Sequence, residues 1–236
     1  KAFWCKAMAQ LLHEEGLYVD VVSGGEIHIG LVAGFPARRM IFHGNNKTAA
    51  ELRMALLAGV GRIVVDNLDE LEVLSELCRV TGRKARVLLR VVPGVRAETH
   101  EYVLTGHRGS KFGLPWDDGS VFEAVRQVSA DPYLSFVGLH CHLGSQILNS
   151  APFEEAARVM AGLVRELRGS GFDVLELDLG GGLGVSHVPE ERPAPVVEIA
   201  HALARGLAEL PRSMWPTVIV EPGRSIVGEA GITLYT

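Results

Sequence analysis

Short apolar runs rich in Val, Ile and Leu recur along the chain, each closed by a glycine or polar cluster and followed by a longer stretch with helical spacing. This alternation narrows the fold more than any other feature, because strands buried on both faces and separated by amphipathic helices belong to parallel α/β sheets. The strands expected on this pattern cover residues 17–22, 39–42, 62–65, 85–92, 134–140, 174–179 and 217–220. Helical spacing covers 1–15, 48–57, 69–80, 120–128, 152–168 and 196–210. A helix opening the chain at Lys1 implies a strand before it, outside the sequence, and that strand would bring the seven to eight. An eightfold βα count over 236 residues is the size of a TIM-type (β/α)8 barrel, with an open doubly wound sheet as the alternative. The barrel predicts that chemistry sits at the C-terminal ends of the strands, where the βα loops converge.

Composition supports one large α/β domain, since 47% of the side chains are hydrophobic. The net charge of −5, with both signs scattered, offers no basic stripe for a phosphate backbone, so nucleic acid is not an expected partner. Cys5, Cys78 and Cys141 are an odd, widely spaced set that suits reduced thiols in a cytoplasm. No apolar run approaches the roughly 20 residues of a bilayer span, and no leader-like segment precedes the first helix, so no membrane association is expected. The chain opens without a methionine and closes in Ile232-Thr233-Leu234-Tyr235, which reads as the start of another strand; both ends are expected to lie inside a longer protein.

Motifs collect where the barrel predicts them. The strand at 174–179 ends in Asp178-Leu179-Gly180-Gly181-Gly182-Leu183-Gly184, whose backbone N–H groups are able to surround an anion, although a tight barrel turn would use glycine equally. The last strand ends in Glu221-Pro222-Gly223-Arg224-Ser225, a carboxylate followed by a guanidinium suited to a phosphate; a surface turn is the bland alternative. After 134–140 comes His140-Cys141-His142-Leu143-Gly144-Ser145-Gln146, in which alternation sends His140 and His142 to one side. Zinc is a rival for that pair, but no further ligand spacing supports it and no metal is expected. Asp20, inside an apolar strand followed by Ser23-Gly24-Gly25-Glu26, needs a cationic or hydrogen-bonding partner, because an unpaired carboxylate there is costly. His43-Gly44-Asn45-Asn46-Lys47 closes the next strand, and both it and Ser23 to Glu26 read equally as βα-loop and helix-cap chemistry.

Taken in order, these residues resemble the fold-type III pyridoxal-phosphate decarboxylases, and within them the branch acting on diaminopimelate. The resemblance covers nearly the whole chain. It runs from Lys1-Ala2-Phe3 through Asp20, Ser23 to Glu26, His43 to Lys47, Thr99-His100-Glu101-Tyr102, Thr105-Gly106, Ser110-Lys111-Phe112-Gly113 and Gly138 to Gln146, and ends with Gly180 to Gly182 and Glu221 to Arg224. Each motif alone is weak and the ordered set is specific; the Thr-His-Glu-Tyr and His-Cys-His forms point to the diaminopimelate branch.

The resemblance implies an alanine racemase-like barrel over residues 1–228, binding pyridoxal 5′-phosphate, with 229–236 opening a second, mostly β domain. It implies that Lys1 carries the cofactor as a Schiff base, with Lys6 in Cys5-Lys6-Ala7-Met8 as the rival. His142 would stack on the pyridine ring, Ser145, Gly180, Gly181, Gly182, Gly223 and Arg224 would hold the phosphate side, and Glu221 would face the ring nitrogen. Asp20 and Glu26 would support the lysine and the histidine. The implied reaction is decarboxylation of meso-2,6-diaminopimelate to L-lysine and CO2, in a homodimer with shared active sites, so that this stretch alone would be inactive. Ornithine, arginine or carboxynorspermidine as substrate, a catalytically silent relative, and a barrel binding a sugar phosphate are the competing readings.

Overall fold

The computed structural model describes residues 2–95 and 112–231, which fall into two compact units. The first comprises residues 3–91 and 112–140, the second residue 2, 92–95 and 141–231. Strands and helices alternate as expected, and the fold class is α/β, of the TIM-type barrel kind. Among the described residues no helix is long and apolar enough to cross a membrane.

In the first unit the strands are β1 (Val19–Val21), β2 (Met40–Phe42), β3 (Arg62–Val65), β4 (Ala85–Val92) and β6 (Leu134–Cys141), adjacent in that order. The pairs from β1 to β4 are parallel, with Asp20 opposite Ile41, Phe42 opposite Ile63 and Val64 opposite Leu88. A two-residue strand absent from the sequence expectation, β5 (Leu114–Pro115), pairs with β4. The helices are α1 (Lys6–Glu14), α2 (Gly24–Val32), α3 (Ala49–Ala58), α4 (Leu68–Thr81) and α5 (Ser120–Ala130). Met40, Ile63, Leu88 and Leu89 from the strands are buried with Ile27, Leu52 and Leu74 from the helices. Burying each such side chain contributes roughly 1.5–3 kcal/mol.

Two helices differ from expectation here. The first begins at Lys6 rather than at the chain start, because Trp4 is held in place, its indole N–H on the Glu26 carbonyl at 2.9 Å and its ring edge-on to Phe35. Cys5 is extended and gives no side-chain cap. Helix α2 was not expected, since Gly-Gly-Glu-Ile-His-Ile-Gly-Leu-Val combines glycine and β-branched residues of low helix propensity. It forms because its start is capped twice: Ser23 Oγ accepts from Glu26 N, and Glu51 Oε1 accepts from Gly24 N.

In the second unit β7 (Glu176–Gly181) pairs in parallel with β8 (Thr217–Glu221), with a register shift between Asp178 and Gly181. The helices are α6 (Ala151–Gly169), α7 (Val196–Leu207) and α8 (Gly223–Val227), the last unforeseen. Helix α7 ends at Leu207 rather than at 210, ahead of Pro211, whose ring disfavours helical geometry in the residue before it. It lies so close to α6 that a Cβ at Gly206 would stand 2.3 Å from the Glu154 carbonyl oxygen.

Candidate active site

In the second unit, residues that follow three strand ends come together. His142 and Ser145 follow β6, Gly182 follows β7, and Gly223 and Arg224 follow Glu221 at the end of β8. The Gly181 N–H donates to His142 Nδ1 at 3.2 Å. With Nδ1 an acceptor, the neutral ring carries its proton on Nε2. Glu221 Oε2 stands 3.9 Å from the same Nδ1, beyond hydrogen-bond reach, with only 10% of the Glu221 side chain exposed. Arg224 Nη2 donates to Ser145 Oγ at 3.0 Å, and this pair is exposed.

The glycine run serves close approach first. A Cβ at Gly181 would fall 2.1 Å from the Glu221 carbonyl oxygen, and one at Gly182, where φ is +95°, would fall 2.2 Å from the Gly144 carbonyl oxygen. The Gly180 N–H donates to Asp178 Oδ1 at 2.9 Å and the Gly184 N–H to the Ile147 carbonyl at 3.0 Å. Of the N–H groups expected to surround an anion, those of Gly180 and Gly181 are therefore donated within the protein.

Chemically, this set offers a guanidinium and a hydroxyl for an anionic group, and a nearly buried carboxylate beside a neutral imidazole for a positively charged N–H. That donor set fits pyridoxal phosphate at both of its polar ends. Ala2 belongs to this unit, since a Cβ at Gly223 would lie 3.2 Å from the Ala2 Cβ. Lys1 itself lies outside the described residues, as do Thr99 to Tyr102, Thr105-Gly106, Ser110-Lys111 and the 232–236 segment. Lys6, the rival, is an exposed first residue of α1 in the other unit.

The first unit holds Asp20, for which a partner is expected; His43 Nδ1 lies 3.8 Å from Asp20 Oδ1, close enough for an ion pair with a protonated ring and beyond hydrogen-bond reach. His43 is in turn edge-on to His140, ring centroids 4.2 Å apart, and both histidines are buried. Glu26 Oε2 accepts from the Val22 N–H at 2.7 Å, which ties it to the start of α2. This unit also holds a second cluster, whose Asp66, Glu70 and Arg90 none of the strand-end motifs marks. Lys47 Nζ binds Glu70 Oε1 at 2.7 Å, the Val64 carbonyl at 2.8 Å and the Gly44 carbonyl. The Asp66 N–H donates to Glu70 Oε2, and Asp66 Oδ1 accepts from Arg90 at 2.8 Å. Arg90 also lies over the Phe112 ring, 4.6 Å from its centroid, and Gly113 N–H donates to Asp66 Oδ2 at 3.2 Å. Burial raises the Glu70 carboxyl above its usual range, against the opposing pull of Lys47. The signal was present: Arg90 interrupts Val87-Leu88-Leu89-Arg90-Val91-Val92 as Asp20 interrupts its own strand, and the same cost argument demands a partner for it.

Residues 1–228 match the family described as pyridoxal-dependent decarboxylase, pyridoxal binding domain. The chain is 45% identical over 240 residues to the diaminopimelate decarboxylase of Bacillus subtilis (strain 168), covering all of this chain and 55% of that enzyme. Its fold is similar to that of diaminopimelate decarboxylase from Helicobacter pylori complexed with L-lysine, with a TM-score of 0.86 and 32% identity over 94% of this chain and 54% of the other. The M. jannaschii diaminopimelate decarboxylase in co-complex with L-lysine gives the same TM-score at 33% identity, over 94% and 51% of the two chains. This chain thus spans about half the length of the relatives it matches.

Proposed function

Because the chain belongs to the pyridoxal-dependent decarboxylases, whose pyridoxal-binding domain it carries, we propose that the whole protein converts meso-2,6-diaminopimelate to L-lysine and CO2. The observation that carries this reading is the meeting of Glu221, His142, Ser145 and Arg224 in one unit, in a chain 45% identical to a diaminopimelate decarboxylase. That two solved relatives hold L-lysine supports the product.

In this reading Lys1 is the amine that holds pyridoxal 5′-phosphate, and the nearness of its neighbour Ala2 to Gly223 favours it over Lys6. Arg224 and Ser145 bind the phosphate, with Gly223 and the run from Gly180 to Gly182 giving the backbone room beside it. Glu221 would keep a proton on the ring nitrogen, and the bound group would supply an electron sink for the pair left on carbon when CO2 departs. His142 packs on the ring face, its orientation held by the Gly181 N–H. Asp20 steadies His43 and, through it, His140.

The barrel domain is proposed to end near residue 228 and to be followed by a second domain that completes shared sites in a cytoplasmic homodimer. On this reading residues 1–236 alone are inactive. That Cys5, Cys78 and Cys141 enter no disulfide among the described residues suits a reducing compartment.

The test is an absorbance spectrum of the whole protein with added pyridoxal phosphate, followed by borohydride reduction and mapping of the labelled lysine. A visible band with label on Lys1, and CO2 release from meso-diaminopimelate exceeding that from ornithine or arginine, is expected. No band, or label scattered over surface lysines, would overturn the assignment. Faster release from ornithine or arginine would keep the chemistry and change the substrate.

A further inference from the structure

Gln146 is the one non-glycine residue with a positive φ, +59°, among the described residues. A side chain in that left-handed region is unfavourable, and where it persists the surroundings must hold it. What holds it is its own amide. Gln146 Nε2 donates to the Val185 carbonyl, and Gln146 Oε1 accepts from the Val185 N–H at 3.2 Å, so the side chain grips both backbone groups of one residue as a neighbouring strand would. Nε2 also lies 3.3 Å from His187 Nδ1.

The grip continues along the chain. The Ile147 N–H donates to the Gly182 carbonyl at 2.9 Å, the Gly184 N–H returns to the Ile147 carbonyl at 3.0 Å, and the Ala194 N–H reaches the Leu148 carbonyl at 2.8 Å. The segment after β6 is thereby stitched to the segment after β7. At the head of this stitching, immediately before Gln146, stands Ser145, whose hydroxyl receives Arg224. The left-handed turn sends the Gln146 side chain to Val185 while the Ser145 hydroxyl meets the guanidinium.

We propose that Gln146 is a positioning residue for the anion site: its amide, by clamping the Val185 backbone, fixes the turn that holds Ser145 Oγ against Arg224. The proposal rests on the reading that Ser145 and Arg224 take the cofactor's phosphate. Three forms of the whole protein separate the amide from the turn. Gln146→Gly keeps the left-handed turn at no steric cost and deletes the amide. Gln146→Glu keeps the length and replaces the donor with an acceptor facing the Val185 carbonyl.

Dissociation constants for pyridoxal phosphate and for pyridoxal, which lacks the phosphate, are measured with the melting temperature of the cofactor-free protein. Both variants are expected to weaken pyridoxal phosphate roughly tenfold, the scale of a lost hydrogen bond, and pyridoxal less than twofold. Wild-type affinity in Gln146→Gly would overturn the proposal, because the turn alone would then suffice. Parallel loss of both ligands, or of melting temperature in proportion, would overturn it as well, since the residue would then act on the fold generally. Failure of the wild-type protein to bind pyridoxal phosphate would sink the functional reading along with it, whereas a binding wild type and indifferent variants sink this inference alone.

Discussion

The two units treat charge at their strand ends in opposite ways. In the first, Lys47 has three acceptors, Glu70 binds Lys47 and the Asp66 N–H, and Asp66 takes both Arg90 and the Gly113 N–H. The Lys47 and Glu70 side chains are 0% and 7% exposed, those of Arg90 and Asp66 5% and 2%. In the second, Arg224 is exposed on a single described hydroxyl, and Glu221 stands 3.9 Å from an imidazole nitrogen that already accepts from Gly181. A closed set of charges holds backbone, whereas a set with donors to spare can hold a ligand. Burial of the acid alone does not tell the two apart, because Glu221 and Glu70 are both nearly inaccessible; what differs is the cation, Lys47 shut in by three acceptors and Arg224 exposed.

The largest effect that would break this contrast is expected at Lys47. Lys47→Met strands a buried carboxylate, and loss of one partner of a buried pair costs about 3–5 kcal/mol. Urea unfolding should report that loss, and Lys47→Met combined with Glu70→Gln should recover most of it, since no ion is then left unpaired and Gln retains an acceptor for the Asp66 N–H. A double variant as unstable as the single one would mean that Lys47 acts through Gly44 and Val64 alone.

Arg224→Ala is the counterpart in the second unit, with a smaller effect on a different observable. Removing an exposed side chain should leave the cofactor-free protein within about 0.5 kcal/mol of wild type. Affinity for pyridoxal phosphate should fall by roughly 2 kcal/mol, the scale of a charge-assisted hydrogen bond. A stability loss as large as that at Lys47 would erase the distinction between the units.

The sequence carried this distinction only in part. All seven expected strands are present within a few residues, because their apolar runs are long and sharply punctuated. The residues proposed to face the ligand stand in the sequence at strand ends, each in a motif: Glu221 and Arg224 around a Pro-Gly turn, Ser145 after His142, and the glycine run after Asp178. Helix α2 was legible only at its Ser23 cap, since its glycine and β-branched residues hide any periodicity and its other supports, Glu51 and Trp4, are distant in sequence. The closed network was illegible for a related reason: Glu70 reads as an ordinary first-turn acid of α4, and only the fold brings Lys47 to it. Gln146 gave no signal at all, because glutamine is not a residue that advertises a left-handed turn.

A smaller effect lies in the pH dependence of the first unit. Burial holds the folded Glu70 carboxyl above its ordinary 4.5, with Lys47 opposing. A carboxyl raised on folding contributes stability that is fully present below its unfolded pKa and lost as pH rises through the folded value. The stability of wild type relative to Glu70→Gln should therefore decline as the pH rises from below the ordinary 4.5 through the raised folded value. A difference that grows with pH would mean that attraction to Lys47 outweighs burial, and the closed network would then be a source of stability at neutral pH.

The smallest expected effect sits one residue from the largest. Thr48 is the exposed N-cap of α3, its hydroxyl accepting from Glu51 N at 3.3 Å while Glu51 Oε2 returns to Thr48 N at 3.0 Å. Two backbone hydrogen bonds, from Gly24 and Thr48, hold the Glu51 carboxyl below its usual range, so what it adds is present above its unfolded pKa and fades as the solution is acidified. Thr48→Ala removes the cap and should cost about 1 kcal/mol at neutral pH, against about 3–5 kcal/mol for Lys47→Met beside it. The comparison isolates burial, because both residues close the same βα junction and only Lys47 carries a charge that water cannot reach. Equal losses in urea unfolding would show that the junction is held by its cap, and the closed charges of the first unit would then have no special claim on its stability.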